Sequence, residues 1–148
     1  MEWLERDYTL TDDPARLDLD AVCRLLHSTY WAARRGADVI EKSLQHSINF
    51  SLFHAGLQVG FARMITDRAT HAYLCDVVIA PEHRGLGIGK WMLRQILEPP
   101  SVRGCRIDLF TRDAQEFYRA FGFGAHKDEC LVRYPPDYSG SNGASAKT

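Results

Sequence analysis

Three glycines stand at alternate positions between an apolar stretch and an amphipathic one, in the segment Arg84-Gly85-Leu86-Gly87-Ile88-Gly89-Lys90. Glycines leave backbone N–H groups uncovered by side chains, and a helix that begins directly after them adds the positive end of its dipole. Backbone freedom in a tight turn would explain one or two of these glycines, but not the flanking cations Arg84 and Lys90. The pattern therefore predicts a loop that binds phosphate groups.

Two well-known phosphate-binding loops do not fit this spacing. A Walker loop needs one residue more than the three that separate Gly85 from Gly89-Lys90, and Trp91 follows where a hydroxyl should contact Mg²⁺. A dinucleotide fingerprint has different glycine spacing and follows the first strand of a βαβ unit, whereas an antiparallel hairpin is predicted before this loop. ATP hydrolysis and NAD binding are both disfavoured.

Hydrophobic periodicity and turn residues predict the elements that would position the loop. The strand before it is almost continuously apolar, as expected of a central strand covered on both faces. Pro99-Pro100 ends the helix after it, because proline cannot continue a helix. The predicted elements, in chain order, are a strand at 6–10, a helix at 18–29, a second helix with Asp38 and Glu41 as a capping box, an antiparallel hairpin at 50–54 and 57–65, the central strand at 72–79, the helix at 88–97, a strand at 106–110, a helix that Asp113 and Glu116 cap and Gly122 closes, and a last strand at 131–134.

Length and composition indicate a single domain. The chain has 148 residues, of which 45% are apolar, so it can bury one sizeable core. We predict one domain over residues 1–136. The remaining residues, 137–148, form a polar tail of small side chains that cannot bury enough apolar area to fold by itself.

Charge and cysteine usage exclude several kinds of partner. The net charge is −1, with 18 basic and 19 acidic side chains, which argues against binding nucleic acid or an anionic membrane through a global basic field. No segment has the length and apolar character of a membrane span or a signal peptide. Because the 4 cysteines are scattered and the 6 histidines lack metal-ligand spacing, we expect reduced thiols, a cytoplasmic location and no metal.

The glycine-rich segment fits a third pattern, Arg/Gln-x-x-Gly-x-Gly/Ala, and here the sequence resembles the GNAT N-acetyltransferase superfamily. The stretch from Asp76 to Leu93 is similar to the acetyl-CoA-binding motif of that family. Phe117-Tyr118-Arg119-Ala120-Phe121-Gly122-Phe123 is similar to its second signature, an aromatic-Tyr-x-x-x-Gly-Phe helix end. The resemblance extends over residues 6–134 and implies the GNAT fold: an α+β (α/β) domain whose mixed, mostly antiparallel central sheet has a splayed strand pair and about four flanking helices.

The resemblance also implies roles for individual residues, with acetyl-CoA as co-substrate. A bulge near Val77 to Ile79 would free main-chain groups for the pantetheine amides, and the Val78 N–H would stabilise the thioester oxyanion. Tyr118 matches the general acid that protonates the departing thiolate. Thr111 stands where family members often carry an asparagine that contacts the pantetheine arm. The implied cofactor-binding residues are Val77, Val78, Ile79, Arg84, Gly85, Leu86, Gly87, Ile88, Gly89, Lys90, Thr111 and Tyr118.

Some of these side chains have an alternative, structural interpretation. Asp76 or His71 could end a water chain that serves as general base, but Asp76 could equally be a satisfied buried carboxylate, and a lone histidine at a strand entrance is more often structural. Tyr118 could be an ordinary half-buried aromatic, although the Gly122-Phe123 context favours the acid.

The connection between the first two helices is where the resemblance places the acceptor pocket. Tyr30 and Trp31 offer an apolar wall, and Arg34 or Arg35 could clamp a carboxylate of the acceptor by bidentate hydrogen bonds. The two arginines could as well be solvated, and Trp31 could belong to the core.

The leading interpretation is an enzyme that transfers the acetyl group of acetyl-CoA to a primary amine of a small-molecule or amino-acid-like acceptor, by direct attack in a ternary complex. A protein N-terminal or lysine acetyltransferase is one alternative, and a non-catalytic acyl-CoA-binding sensor is another. A covalent route through Cys75 lacks a base beside it in sequence. The sequence does not decide whether the chain forms a homodimer, because it contains no exposed apolar stripe that would specify one.

Overall fold

A six-stranded mixed sheet is central to the first part of the chain. The computed structural model describes residues 1–125 and 131–135, and the chain divides into two units, Met1–Asp113 and Ala114–Thr148. Strands that follow one another along the chain are neighbours in the sheet, and every pair is antiparallel except the last, which is parallel. The predicted mixed, mostly antiparallel sheet is confirmed. Its strands are β1 (Glu2–Glu5), β2 (Tyr8–Thr11), β3 (Ile48–His54), β4 (Leu57–Thr66), β5 (His71–Ile79) and β6 (Arg106–Asp108).

The strand predictions are wrong in part near the two ends of the chain. The strand expected at 6–10 is confirmed from Tyr8 onward as β2, but the chain turns at Arg6, whose backbone φ of 53° is left-handed, and the strand before this turn, β1, was not predicted. An arginine gives no turn signal, unlike glycine or asparagine. The strand expected at 131–134 is wrong, because residues 131–135 form no strand and Leu131 is 97% exposed. The predicted tail at 137–148 lies outside the described residues.

Five α-helices occur in the described residues: α1 (Leu19–His27), α2 (Ala37–Leu44), α3 (Ile88–Leu97), α4 (Pro100–Arg103) and α5 (Gln115–Arg119), of which α5 belongs to the second unit. The helix expected at 88–97 has the predicted bounds. The short helix α4 was not predicted. Its first residue is Pro100. Proline is common at this position, because the N–H that it lacks would have no acceptor within the helix.

Two of the predicted helix caps are wrong. α2 begins at Ala37 after Gly36, so Asp38 lies inside the first turn. Its negative charge there interacts favourably with the helix dipole, but no side chain forms a capping hydrogen bond. The cap residue of α5 is Ala114, not Asp113, and no side chain caps it. The predicted helix end at Gly122 is confirmed: its φ is 86°, and its N–H donates to the Arg119 carbonyl at 3.0 Å.

The core of the first unit includes one face of α1, which packs against β4 and β5. That face buries Val22, Leu25 and Leu26, as their helical spacing predicts. Each buried side chain of this size contributes about 1.5–3 kcal/mol of hydrophobic stabilisation. The core therefore fixes the two strands that carry the candidate site. Other fully buried side chains of the sheet and α3 include Leu10, Phe50, Leu52, Phe61, Met64, Leu74, Met92, Leu93 and Ile96.

Candidate active site

A bulge interrupts the pairing of β4 with β5. Asp76 and Val77 together lie opposite the single residue Ala62, because the register shifts there. Asp76 has a left-handed backbone φ of 56°, which residues other than glycine, asparagine and aspartate rarely adopt. The bulge expected near Val77 to Ile79 thus lies at the beginning of that segment.

β5 separates from β6 before the chain reaches the bulge. The two strands pair only from His71 to Tyr73, whereas β5 continues to Ile79. This is the predicted splayed strand pair. The second half of β5 therefore presents main-chain N–H and C=O groups toward an edge that β6 does not cover, and an extended ligand can pair with such an edge.

The strand register decides which N–H groups face that open edge. The Ala80 N–H donates to the Val59 carbonyl at 2.8 Å, so these residues form a hydrogen-bonded pair. Hydrogen-bonded pairs alternate along an antiparallel ladder, which makes Val78 a member of the next one and turns its N–H toward β4. By the same alternation the N–H of Ile79 points the other way, toward the open edge, and Val77 lies close by in the bulge. The expectation that the Val78 N–H faces the substrate is therefore corrected.

Asp76 is a buried carboxylate that two arginines hold. Its Oδ2 accepts a hydrogen bond from Nη1 of Arg35 and another from Nε of Arg63, each at 2.9 Å, and its side chain is 2% exposed. Arg63 also donates to the Ser47 hydroxyl at 3.1 Å. Both hydrogen bonds to Asp76 join groups of opposite charge, and a buried carboxylate needs partners of this kind. Of the two interpretations of Asp76, these contacts support the buried carboxylate whose hydrogen bonds are satisfied. They do not support its expected role as general base.

The three charged groups connect separate parts of the site. Arg35 lies in the connection between α1 and α2, Arg63 lies on β4, and Asp76 forms the bulge of β5. One carboxylate thus ties the α1–α2 connection to the strand whose edge is open. The left-handed backbone at Asp76 is unfavourable and persists only where surrounding contacts stabilise it. The two hydrogen bonds from the arginines provide such contacts.

His71, the second candidate base, lies far from the bulge. It begins β5, five residues before Asp76, which is roughly 17 Å along the strand at about 3.3 Å per residue. Its Nε2 is 3.1 Å from Oδ2 of Asp108, and its side chain is 52% exposed. This position identifies His71 as a surface partner of Asp108 and does not support a role as base.

The glycine loop, residues 84–90, has the open backbone that anion binding needs. Gly85 and Gly87 have φ values of 75° and 80°, and a Cβ on either would meet no atom within 4 Å. Gly87 caps α3, whose first N–H groups have no acceptor within the helix. Left-handed backbone explains two of the three glycines, and the third, Gly89, lies in the first turn of α3.

Two contacts anchor the residues at the start of this loop. The Arg84 Nε donates to the Ile79 carbonyl at 2.8 Å, which attaches the loop to the open edge of β5. The Tyr8 hydroxyl and the His83 Nδ1 share a hydrogen bond of 2.8 Å. Tyr8 is buried in β2, so the sheet holds the turn that precedes the loop.

A cleft of about 300 Å³ meets the open edge of β5. Of the predicted acceptor residues, Tyr30 and Trp31 line it; Arg34 and Arg35 do not. Arg35 is engaged with Asp76, and Arg34 is exposed outside the cleft lining. Sequence reasoning missed Ser28, Thr29 and Asp113 as part of this cleft. The full lining consists of Ser28, Thr29, Tyr30, Trp31, Val77, Val78, Ile79, Arg84 and Asp113.

Cys75 lies on β5 next to the bulge, but its thiol is poorly suited to nucleophilic attack. Burial raises its pKa to about 11. The thiolate is the reactive form, and it is scarce at neutral pH when the pKa is that high. This argues against the covalent route.

Tyr118 belongs to α5, in the second unit. Its ring contacts the rings of Phe117 and Phe123, with centroids 5.1 and 5.8 Å apart, and its side chain is half-buried. The Phe123 N–H donates back to the Tyr118 carbonyl at 3.4 Å, within the predicted helix end. Thr111 follows β6 in the first unit and is partly exposed. The roles that the resemblance implies for both residues stay predictions.

Residues 1–125 and 131–135 lack two further features. No cluster of three or more histidine, cysteine, aspartate or glutamate side chains there is arranged to hold a metal ion. No helix in those residues has both the length and the apolar character that a membrane crossing requires.

Comparison with known proteins places this geometry in context. Residues 27–124 match the family model of the acetyltransferase (GNAT) domain. A protein from Gibberella zeae that is named as an acetyltransferase is 36% identical, over a match covering 78% of this chain and 78% of that protein.

Solved structures show the same similarity. A crystal structure from Xanthomonas campestris, described as an acetyltransferase of the GNAT family, has a TM-score of 0.82 and 35% identity, and the match covers 87% of this chain and 94% of that one. A GNAT acetyltransferase from Elizabethkingia anophelis, solved with acetyl-CoA bound, has a TM-score of 0.60 at 11% identity, covering 80% of this chain and 74% of that one. The latter likeness is one of fold.

Proposed function

This chain belongs to the GNAT acetyltransferase family, and from that membership we propose that it transfers the acetyl group of acetyl-CoA to the primary amine of a small molecule. The observation that carries the proposal is the junction of three features in the first unit: the glycine loop, the open edge of β5 and the cleft that meets this edge. The two reactants would be bound together, so that the amine attacks the thioester directly.

The residues of the first unit fit acetyl-CoA. The open space beside Gly85 and Gly87 lets a pyrophosphate approach the backbone, and Arg84 and the beginning of α3 supply positive charge there. The N–H groups of Val77 and Ile79 at the open edge would pair with the amide arm of the cofactor. When bound, acetyl-CoA supplies an acetyl thioester, whose carbonyl carbon is the electrophile.

The chain's own groups would assist the transfer in two ways. An N–H of Val77 or Ile79 would donate to the thioester oxygen as negative charge develops on it. Tyr118, by its match to the family signature, would donate its proton to the departing sulfur. With Asp76 engaged by two arginines, the proton of the incoming amine would leave through cleft water.

A thiol-release assay with a panel of primary amines tests this proposal, with Gly87→Val as the informative variant. The wild type is expected to release CoA only when an amine is present. Gly87→Val is expected to weaken acetyl-CoA binding by about tenfold or more in calorimetry, because valine is strained at a φ of 80° and fills the space beside the loop.

Gly56→Val is the matched control. Gly56 lies in the β3–β4 turn with a φ of 79° and equally open surroundings, so it carries the same backbone strain outside the loop. We expect Gly56→Val to keep acetyl-CoA affinity. An equal loss of acetyl-CoA affinity in both variants would show that backbone strain alone was responsible. It would contradict the assignment of the glycine loop as the acetyl-CoA site. Tight acetyl-CoA binding without CoA release on any amine would favour the non-catalytic sensor.

A further inference from the structure

Asp113 is a carboxylate that lines the cleft and forms no ion pair with the described residues. No arginine, lysine or histidine nitrogen among residues 1–125 and 131–135 lies within salt-bridge distance of it. The neighbouring Arg112 stacks over the Tyr30 ring, 4.1 Å from its centroid, rather than on Asp113. An exposed carboxylate at the wall of a cleft attracts a cation, and a primary amine arrives as one near neutral pH.

Arg84, the one cation among the described residues that line the cleft, has another assignment. Its Nε is bonded to the Ile79 carbonyl, and the residue begins the glycine loop. The two arginines that could have bound an acceptor carboxylate are not in the lining, since Arg35 is held by Asp76 and Arg34 lies outside. Among the described residues that line the cleft, a carboxylate on the acceptor would therefore meet Asp113 and, as a cation, Arg84 alone, and like-charge repulsion by Asp113 disfavours it.

The remaining wall of the cleft suits an apolar body. Tyr30 and Trp31 are 37% and 41% exposed, unusual for large aromatic side chains, and their rings contact each other edge to face with centroids 5.0 Å apart. Adjacent exposed aromatics at a cleft typically cover the apolar part of a ligand.

We propose that Asp113 recognises the acceptor as a cation, and that the preferred acceptors are arylalkyl or alkyl amines without a carboxylate beside the amine. This inference rests on the proposed function. Asp113 would bind the acceptor in its ammonium form. The amine then loses its proton to cleft water before attack, which the exposure of Asp113 to solvent permits. Asp113 is thus a specificity-determining residue, whereas the transfer itself depends on the edge of β5.

The test compares 2-phenylethylamine with phenylalanine, which differ by one carboxylate. We expect the wild type to favour 2-phenylethylamine in kcat/KM by about tenfold or more, the range of one charge-assisted hydrogen bond. Asp113→Asn should raise KM for 2-phenylethylamine by about tenfold and leave KM for acetyl-CoA unchanged. Asp113→Arg should shrink or invert the preference, a result that a merely structural role would not produce.

Asp20→Asn is the control, because it removes one exposed carboxylate of α1 outside the cleft lining. It should change neither KM nor preference. Equal or better use of phenylalanine by the wild type would overturn the proposal, as would an unchanged KM in Asp113→Asn.

Failure of the proposed function gives a different result. If the wild type binds acetyl-CoA but acetylates no amine, calorimetry of 2-phenylethylamine on the CoA-loaded protein still decides the role of Asp113. Binding by the wild type that is lost in Asp113→Asn would support cation recognition without catalysis. Equal binding by both proteins, or no binding by either, would overturn it.

Discussion

Tyr118→Phe is expected to lower kcat roughly 10²- to 10⁴-fold and leave acetyl-CoA affinity nearly unchanged. The substitution removes one hydroxyl and keeps the ring, so the contacts with Phe117 and Phe123 in the second unit persist. If Tyr118 protonates the departing sulfur, only the transfer step loses its proton donor. Steady-state kinetics with an amine that the wild type accepts measures kcat, and calorimetry measures the affinity.

Tyr73→Phe controls for the loss of a tyrosine hydroxyl. Tyr73 is half-buried on β5 at the last residue that pairs with β6, its ring contacts Phe110, and burial raises its pKa. We expect this variant to retain wild-type kcat. A Tyr118→Phe enzyme that turns over as fast as Tyr73→Phe would show that Tyr118 is an ordinary half-buried aromatic.

Asp76→Ala is expected to destabilise the fold by about 3–5 kcal/mol, the usual cost of removing one partner from a buried ion pair. Two guanidinium groups would lose their shared counter-ion, and Arg63 is only 11% exposed and cannot turn to solvent. Alanine also tolerates the left-handed φ of 56° less well than aspartate does. Urea unfolding measures the change in the free energy of unfolding, with the midpoint of thermal unfolding falling by roughly 10 °C.

Asp108→Ala is a matched control, because Asp108 also contacts two basic side chains, but at the surface. His71 and Arg106 lie 3.1 and 3.2 Å from its carboxylate, which is 37% exposed. Exposed pairs contribute about 0–1 kcal/mol, so this variant should unfold close to the wild type. Comparable destabilisation in both variants would contradict the special role of the buried cluster. Asp76→Asn, which tolerates the backbone angle, separates loss of charge from backbone strain.

The parts of the fold that sequence predicted are those that local chemistry determines. The bounds of α3 follow from the glycines before it and from Pro99-Pro100 after it, and Gly122 ends α5 because it adopts the left-handed backbone. The hairpin of β1 and β2 could not be predicted, since its turn uses Arg6, a residue that rarely adopts positive φ.

The parts of the site that sequence could not predict depend on contacts between distant residues. Asp76 meets Arg35 from 41 positions away and Arg63 from 13, so its partners become visible only when the strands pair. The direction of the Val78 N–H likewise depends on register, which changes with a single bulge. Asp113 looked like a helix cap in sequence, and only the fold places it in the cleft.

Product analysis by mass spectrometry after incubation with acetyl-CoA, with and without 2-phenylethylamine or another accepted amine, tests the central claim most directly. Direct transfer predicts that CoA and acetylated amine appear in equal amounts, only when the amine is present, and that the protein itself stays unmodified. CoA release with an acetylated protein in the absence of amine would contradict direct attack. Acetyl-CoA that binds and stays intact with every amine would contradict the proposed activity itself.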